Sequence, residues 1–165
     1  MKIFSFLLVI TVGIYSCKKS DDKIISPPAA EALYKIELKL QWASPAFTIP
    51  VNAHFTAFAG MIHHKDSFLW APNGLATLGL ENVAEVGNPA QLNAEMDAII
   101  SKGRALYKFE IPPPGITGTI DTSFRFNLEH SCISFASMIA PSPDWFVGMN
   151  QYNLLYLHHI NKVEL

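Results

Sequence analysis

Tyr34, Ile36, Leu38, Leu40 and Trp42 alternate with Lys35, Glu37, Lys39 and Gln41. Successive side chains of an extended chain point to opposite faces, so this period of two predicts a strand with one face buried and the other in water. Ala53, Phe55 and Ala57, interleaved with His54, Thr56 and Phe58, predict a second and more deeply buried strand ended by Gly60. Ser44, Pro45 and Pro50 supply the loop between the two. From Met61 to Asn73 aromatics and turn formers follow one another without a period.

The period then changes. Leu80, Val83 and Ala84 are spaced as one face of a short helix within Leu75–Val86. Asn88 and Pro89 read as the cap and first residue of a second helix, which carries Leu92, Met96, Ile99 and Ile100 on one face and closes at Gly103. Alternation resumes in Ala105, Tyr107, Phe109 and Ile111, stops at Pro112, Pro113, Pro114 and Gly115, and returns in Phe124, Phe126 and Leu128. Ile133–Ile139, Trp145–Met149 and Asn153–His158 are three further strand candidates. Five to seven short strands around one helical excursion, at about residues 76–102, predict a mainly β protein built as an antiparallel β-sandwich.

The first residues follow none of these patterns. Lys2 precedes an apolar run from Ile3 to Ile14, and Ser16, Cys17 and the cluster Lys18, Lys19, Ser20, Asp21, Asp22 break it. A membrane span needs about 20 apolar residues, so the run reads as a signal peptide over residues 1–16. Ile14, Tyr15, Ser16 and Cys17 resemble the bacterial lipobox, with Tyr15 bulkier than the pattern prefers. The resemblance implies lipid attachment at Cys17, and a plain secretory cleavage at the same place is the other reading. Two or three acyl chains would hold the protein firmly. The expected address is the outer membrane, with the face left open. Residues 17–32, rich in charge, proline and alanine, read as a flexible tether, and residues 33–165 as one domain.

Composition narrows the function. Half of the residues are hydrophobic and only 16% charged, which fits one globular core. A formal net charge of −2, with no basic run outside the tether, offers no footprint for a phosphate backbone, so no nucleic acid is expected. Cys132 has no partner once Cys17 carries lipid, which leaves no disulfide framework. In its apolar run it reads as a small buried hydrophobe. The competing reading pairs it with His130, two positions away on the same strand face, as thiol and imidazole. His63 with His64, and His158 with His159, are adjacent and cannot share a metal from a strand. His64, Asp66 and Ser67 invite an exported hydrolase reading, although no nucleophile elbow presents the serine.

Two stretches go further. One is Gly60, Met61, Ile62, His63, His64, then Leu69 and Trp70, then Gly79 to Gly87. The other runs Met138, Ile139, Ala140, Pro141, Ser142, Pro143, Asp144, Trp145, Phe146, Val147, Gly148. With Tyr34–Trp42, His54 and Phe55, they resemble a spondin domain over roughly Tyr34–Leu155, most specifically at Pro141–Gly148. The resemblance implies an eight-stranded, C2-like β-sandwich without catalytic activity, which binds extracellular protein or glycan partners and a calcium ion. It places Asp144 at a metal-ligand position. Pro141 and Pro143 fix two φ angles and stiffen the loop that presents Asp144. A turn closed by the Asp144 carboxylate is the alternative. Calcium takes six to eight oxygens, so Asp144 would need further donors. The family's acidic loop after this region is not found before Leu165, which implies weak or absent calcium affinity and a sandwich short of a terminal strand. The contact surfaces expected on this reading are the loop around Asp144 and the segment Met61–Asn73.

Overall fold

The computed structural model describes residues 31–43, 48–141 and 143–156. Cys17, the signal run, nearly all of the tether, and His158 with His159 lie outside the described residues.

Among the described residues, seven strands and two helices follow in the order β1 (Ala32–Gln41), β2 (His54–Phe55), β3 (Phe58–His63), α1 (Leu78–Val86), α2 (Ala90–Ser101), β4 (Ala105–Ile111), β5 (Thr117–Phe126), β6 (Cys132–Ala140) and β7 (Phe146–Asn153). A short 3₁₀ turn, Leu154–Tyr156, follows β7. The β-sandwich read from the alternation is present, all of its pairings antiparallel.

β1 and β5 form a two-stranded ribbon, from Ala32 opposite Phe126 to Gln41 opposite Thr117. The second sheet is centred on β6, which pairs with β7 on one side and with β2 and β3 on the other, and β4 lies beyond β3. One face of this sheet packs on the ribbon. That core joins Leu40, Phe124 and Phe126 to Phe58, Ile62, Ile133 and Phe135. The other face carries Ala59, Met61 and Ala136 against Leu80 and Val83 of α1 and Leu92 and Met96 of α2. Covered on both faces, β6 is a run of buried residues rather than an alternation.

Where the structure departs from the sequence reading, packing explains it. Gly60 does not end a strand; it lies within β3, because a Cβ there would stand 2.3 Å from the Ser134 carbonyl oxygen and 2.6 Å from Phe135 Cβ. The buried stretch Met61–His63 lacks a period for the same reason as β6: both of its faces are covered. β2 and β3 both line β6, but Phe55 pairs with Ile139 and Ala59 with Ala136, a slip of one residue across Thr56 and Ala57. The slip changes side-chain parity, so Phe55 and Phe58 both face the ribbon, with ring centroids 6.0 Å apart. Thr56 bridges the gap: Met138 N–H donates to its Oγ1 (3.0 Å) and the Ser137 hydroxyl to its carbonyl (2.8 Å).

Further differences lie at element ends. β5 begins at Thr117, seven residues before the alternation shows it, and stops at Phe126, leaving Leu128 exposed beyond the strand. Trp145–Met149 and Asn153–His158 are not two strands. β7 runs Phe146–Asn153, and the 3₁₀ turn starts at Leu154. α2 begins at Ala90, so Pro89 is its cap residue, while the Asn88 side chain accepts from Ala90 N–H at 2.9 Å. The chain leaves α2 through Gly103, at φ 67°.

Candidate contact surface

Trp70 begins the segment Trp70-Ala71-Pro72-Asn73-Gly74, in which Gly74 N–H donates to Ala71 O at 2.9 Å. Pro72 fixes the second position, and Asn73 takes the third at φ 62°, the pattern of a type II turn. The turn stands over the helix-side core, and Trp70 meets Phe146 edge-on, centroids 5.4 Å apart and planes at 78°. Phe146 is the first residue of β7. The hairpin between β6 and β7 is closed by Ile139 N–H donating to Trp145 O (2.9 Å), which leaves Pro141, Pro143, Asp144 and Trp145 exposed. The two separately expected contact surfaces are therefore joined by one pair of rings. Between them lies a pocket of about 260 Å³, walled by Trp70, the 71–76 backbone, Leu75, Leu80 and Phe146.

The pocket lining is mostly apolar, and its surroundings add to that character. Leu75 is fully exposed, and Trp145, Leu78 and Phe68 are each more than half exposed. Trp70 Nε1–H is shielded from solvent and has no acceptor among the described residues. An unmatched buried donor of this kind costs about 1–3 kcal/mol. Thr77 caps α1 by accepting from Leu80 N–H (3.2 Å), and the Glu95 carboxylate of α2 accepts from the Thr77 hydroxyl (2.6 Å) and Gly79 N–H (2.8 Å). A Cβ at Gly79 would stand 2.6 Å from Leu92 Cα, so the close crossing of the helices beneath the pocket requires glycine there.

A buried polar network holds the start of the loop. His63 is fully buried, with Nδ1 2.8 Å from His64 O and Nε2 2.7 Å from Ser134 Oγ. The carbonyl partner assigns the proton to Nδ1, so the Ser134 hydroxyl donates to Nε2. Burial pushes the His63 pKa below its ordinary value, with His130 and His64 adding to the effect against the His64 carbonyl. Opposite Ser134, β7 bulges: Ile133 pairs with Tyr152 and Phe135 with Met149. Within the bulge Gln151 sits at φ 49°, its N–H donating to Ser134 Oγ (2.8 Å) and its side-chain amide to Lys65 O (2.9 Å) and Ser67 O (3.2 Å). The strained residue thus ties the 65–67 loop to the sheet.

The other candidate residues separate. Asp144 is exposed at the hairpin tip. Among the described residues no three His, Cys, Asp or Glu side chains gather to hold a metal, so a calcium ion at Asp144 would draw its remaining donors from carbonyl, amide or water oxygens or from outside the described residues. His64 Nδ1 faces Asp66 Oδ2 at 3.3 Å. The Ser67 hydroxyl, in contrast, donates to Arg104 O (3.4 Å) and accepts from Arg104 Nε (3.3 Å), away from His64. Cys132 is buried, and burial pushes its thiol pKa up. His130 is not on its strand but in the preceding turn, where its ring nitrogens meet Asn127 Oδ1 (3.1 Å) and Gly103 O (3.0 Å). The thiol and imidazole pair is not formed. Sequence reasoning missed the Trp70–Phe146 contact and the Gln151 tie; the Ala-Pro-Asn-Gly turn was the readable sign of the first.

Comparison with known proteins adds a separate line. Residues 32–163 match the Spondin_N family. Spondin-2 of Homo sapiens is 30% identical over 160 residues, covering 93% of this chain and 48% of the relative. Spondin-2 of Rattus norvegicus is 32% identical over 130 residues, 74% of this chain and 39% of the relative. Spondin-1 of Gallus gallus is 29% identical over 106 residues, 61% of this chain and 13% of the relative. The chain thus spans about half the length of human Spondin-2.

Proposed function

We propose a function from one premise: this chain belongs to the Spondin_N family. It acts as an exported, non-catalytic binding module that engages an extracellular protein or glycan through the pocket between Trp70 and Phe146. The observation that carries this reading is the edge-on contact of those two rings, which makes one apolar surface of two loops far apart in sequence. A mostly apolar concavity with a few polar groups is the usual form of a binding site, and this one is small for that class. Ser67 and His64 turning to different partners favours binding over an exported hydrolase.

Attachment to a membrane through lipid at Cys17 belongs to the same proposal, as does calcium at Asp144 with donors from outside the described side chains. Binding of the full chain to an immobilised extracellular-matrix extract, followed by interferometry, tests the surface. Leu75→Asp with Trp145→Ala is expected to weaken it about tenfold or more while leaving the melting temperature in place, since both side chains are exposed. Unchanged binding would remove the surface from the proposal. Metabolic labelling with a palmitate analogue, lost in Cys17→Ser, tests the anchor. Calcium calorimetry with and without Asp144→Ala tests the ion, and the absence of heat in both proteins removes it.

A further inference from the structure

The charged residues are unevenly distributed over the fold. Beyond Lys65 at the start of the loop, where the Arg104 guanidinium donates to Asp66 O, the residues from Asp66 to Ser101 include Asp66, Glu81, Glu85, Glu95 and Asp97 and no lysine or arginine. From Asn127 to Leu155, the remaining pocket wall and hairpin carry Glu129 and Asp144, again with no lysine or arginine. Asp97 pairs with Lys108, Glu95 caps α1, and Asp66 lies beside His64, whose Nδ1 accepts from Asp66 N–H. Glu81 and Asp144 make no ion pair among the described residues. Both are exposed, Glu81 directly after the pocket residue Leu80 and Asp144 two residues before Phe146. Trp145, between Asp144 and Phe146, offers an open indole face.

Resting on the binding reading above, we propose that the pocket takes an apolar side chain from a cationic segment of a partner protein. The apolar side chain fills the space walled by Trp70, Leu80 and Phe146. Lysine or arginine on either side of it meets Asp144 and Glu81, and an arginine can stack on Trp145 as it does so. The size of the pocket suits one side chain, since sites for drug-sized ligands begin at about 300 Å³. Charge complementarity disfavours other occupants: a second copy docked through this same face would set the same acids against each other, and an acidic glycan would be repelled.

The test uses the full-length chain in chelator-containing buffer and four probes: the peptides acetyl-Gly-Arg-Arg-Trp-Arg-Arg-Gly-amide, its glutamate and serine counterparts, and maltoheptaose. Hydrogen exchange over residues 70–76 locates binding, and anisotropy of labelled peptide measures affinity. The arginine peptide is expected to bind about tenfold or more tightly than the others, to protect residues 70–76, and to weaken from about 50 mM to about 500 mM salt. Glu81→Gln and Asp144→Asn should each weaken it severalfold, whereas Glu37→Gln on the ribbon should not. Equal or better protection by the serine peptide, the glutamate peptide or maltoheptaose would overturn the cationic preference and leave the contact surface standing. An arginine peptide indifferent to Glu81→Gln and Asp144→Asn would overturn it also. Protection of residues 70–76 by none of the four would overturn this proposal together with the reading it rests on.

Discussion

Phe58, Ile62, Ile133 and Phe135 face the ribbon, while Ala59, Met61, His63, Ser134 and Ala136, their neighbours in sequence, face the helices and the 64–76 loop. The same two strands thus build two unlike interiors. Toward the ribbon, large rings meet at 4.5 Å between Phe109 and Phe124 and 5.7 Å between Phe58 and Phe135. Toward the helices, small side chains, two methionines and a hydrogen-bonded histidine leave room for a bulge and a loop. The first face sets stability, and the second sets the shape of the contact surface. Aromatic burial is tolerant of direction but costly to remove, whereas a polar network holds geometry with modest net energy.

Several substitutions would break or sharpen this contrast. Gly60→Val, whose Cβ would collide with backbone, should abolish folding, a loss beyond about 4 kcal/mol visible as missing cooperative unfolding in urea. Phe58→Ala should cost about 3–5 kcal/mol by the same measurement, through the cavity it leaves beside Phe55 and Phe135. Ser134→Ala should cost about 1–3 kcal/mol and, unlike Phe58→Ala, should speed amide exchange selectively in residues 64–68 and 150–151. Equal exchange throughout would mean that the network does not hold the loop.

Acidity probes the helix-side face through His63. Burial depresses the folded-state pKa of His63, so the unfolded chain takes up a proton first as pH falls. The contribution of this group is complete above its ordinary value of 6.5 and is lost as pH falls from there toward the folded-state value. The slope from one proton cannot exceed about 1.4 kcal/mol per pH unit. His63→Gln should flatten it, and an undiminished slope would assign it to other groups. The smallest effect is expected on the outer surface of the ribbon. The Lys35–Asp121 pair, at 2.8 Å, raises the Lys35 pKa through its hydrogen bond to Asp121, yet it lies in open solvent. Lys35→Ala should leave the unfolding midpoint where it is.

The contrast also explains what the amino-acid pattern could reveal. β1 was readable from Tyr34 onward because one of its faces meets water, and β4 because Lys108 and Glu110 interrupt its apolar positions. The helices followed from Leu80, Val83, Leu92 and Met96 at helical spacing. The break at Thr56 was hidden, because a one-residue slip leaves no mark in composition and shows only as Phe55 and Phe58 sharing a side. The first half of β5 was hidden as well: Thr117, Gly118, Thr119 and Asp121 are exposed and only Ile120 is buried. At the contact surface, the Pro141–Gly148 motif and the turn formers of Met61–Asn73 were visible separately. Their meeting through Trp70 depends on two long-range strand pairings, which no local pattern encodes.

β1 begins at Ala32, level with Phe126 and the Tyr107 hydroxyl, and ends beside Phe55, near the hairpin that carries Trp145. The chain therefore enters at one pole of the domain and the hairpin that carries Trp145 lies at the other, about 30 Å away along a ten-residue strand. If the chain is held at its N-terminus and captures a partner at the hairpin, as proposed, the pull between them would run parallel to β1 and across the rungs that join it to β5, which stand perpendicular to the strands. Rungs loaded in that direction share the force at once instead of parting one by one, which is the geometry of a joint made to resist pulling.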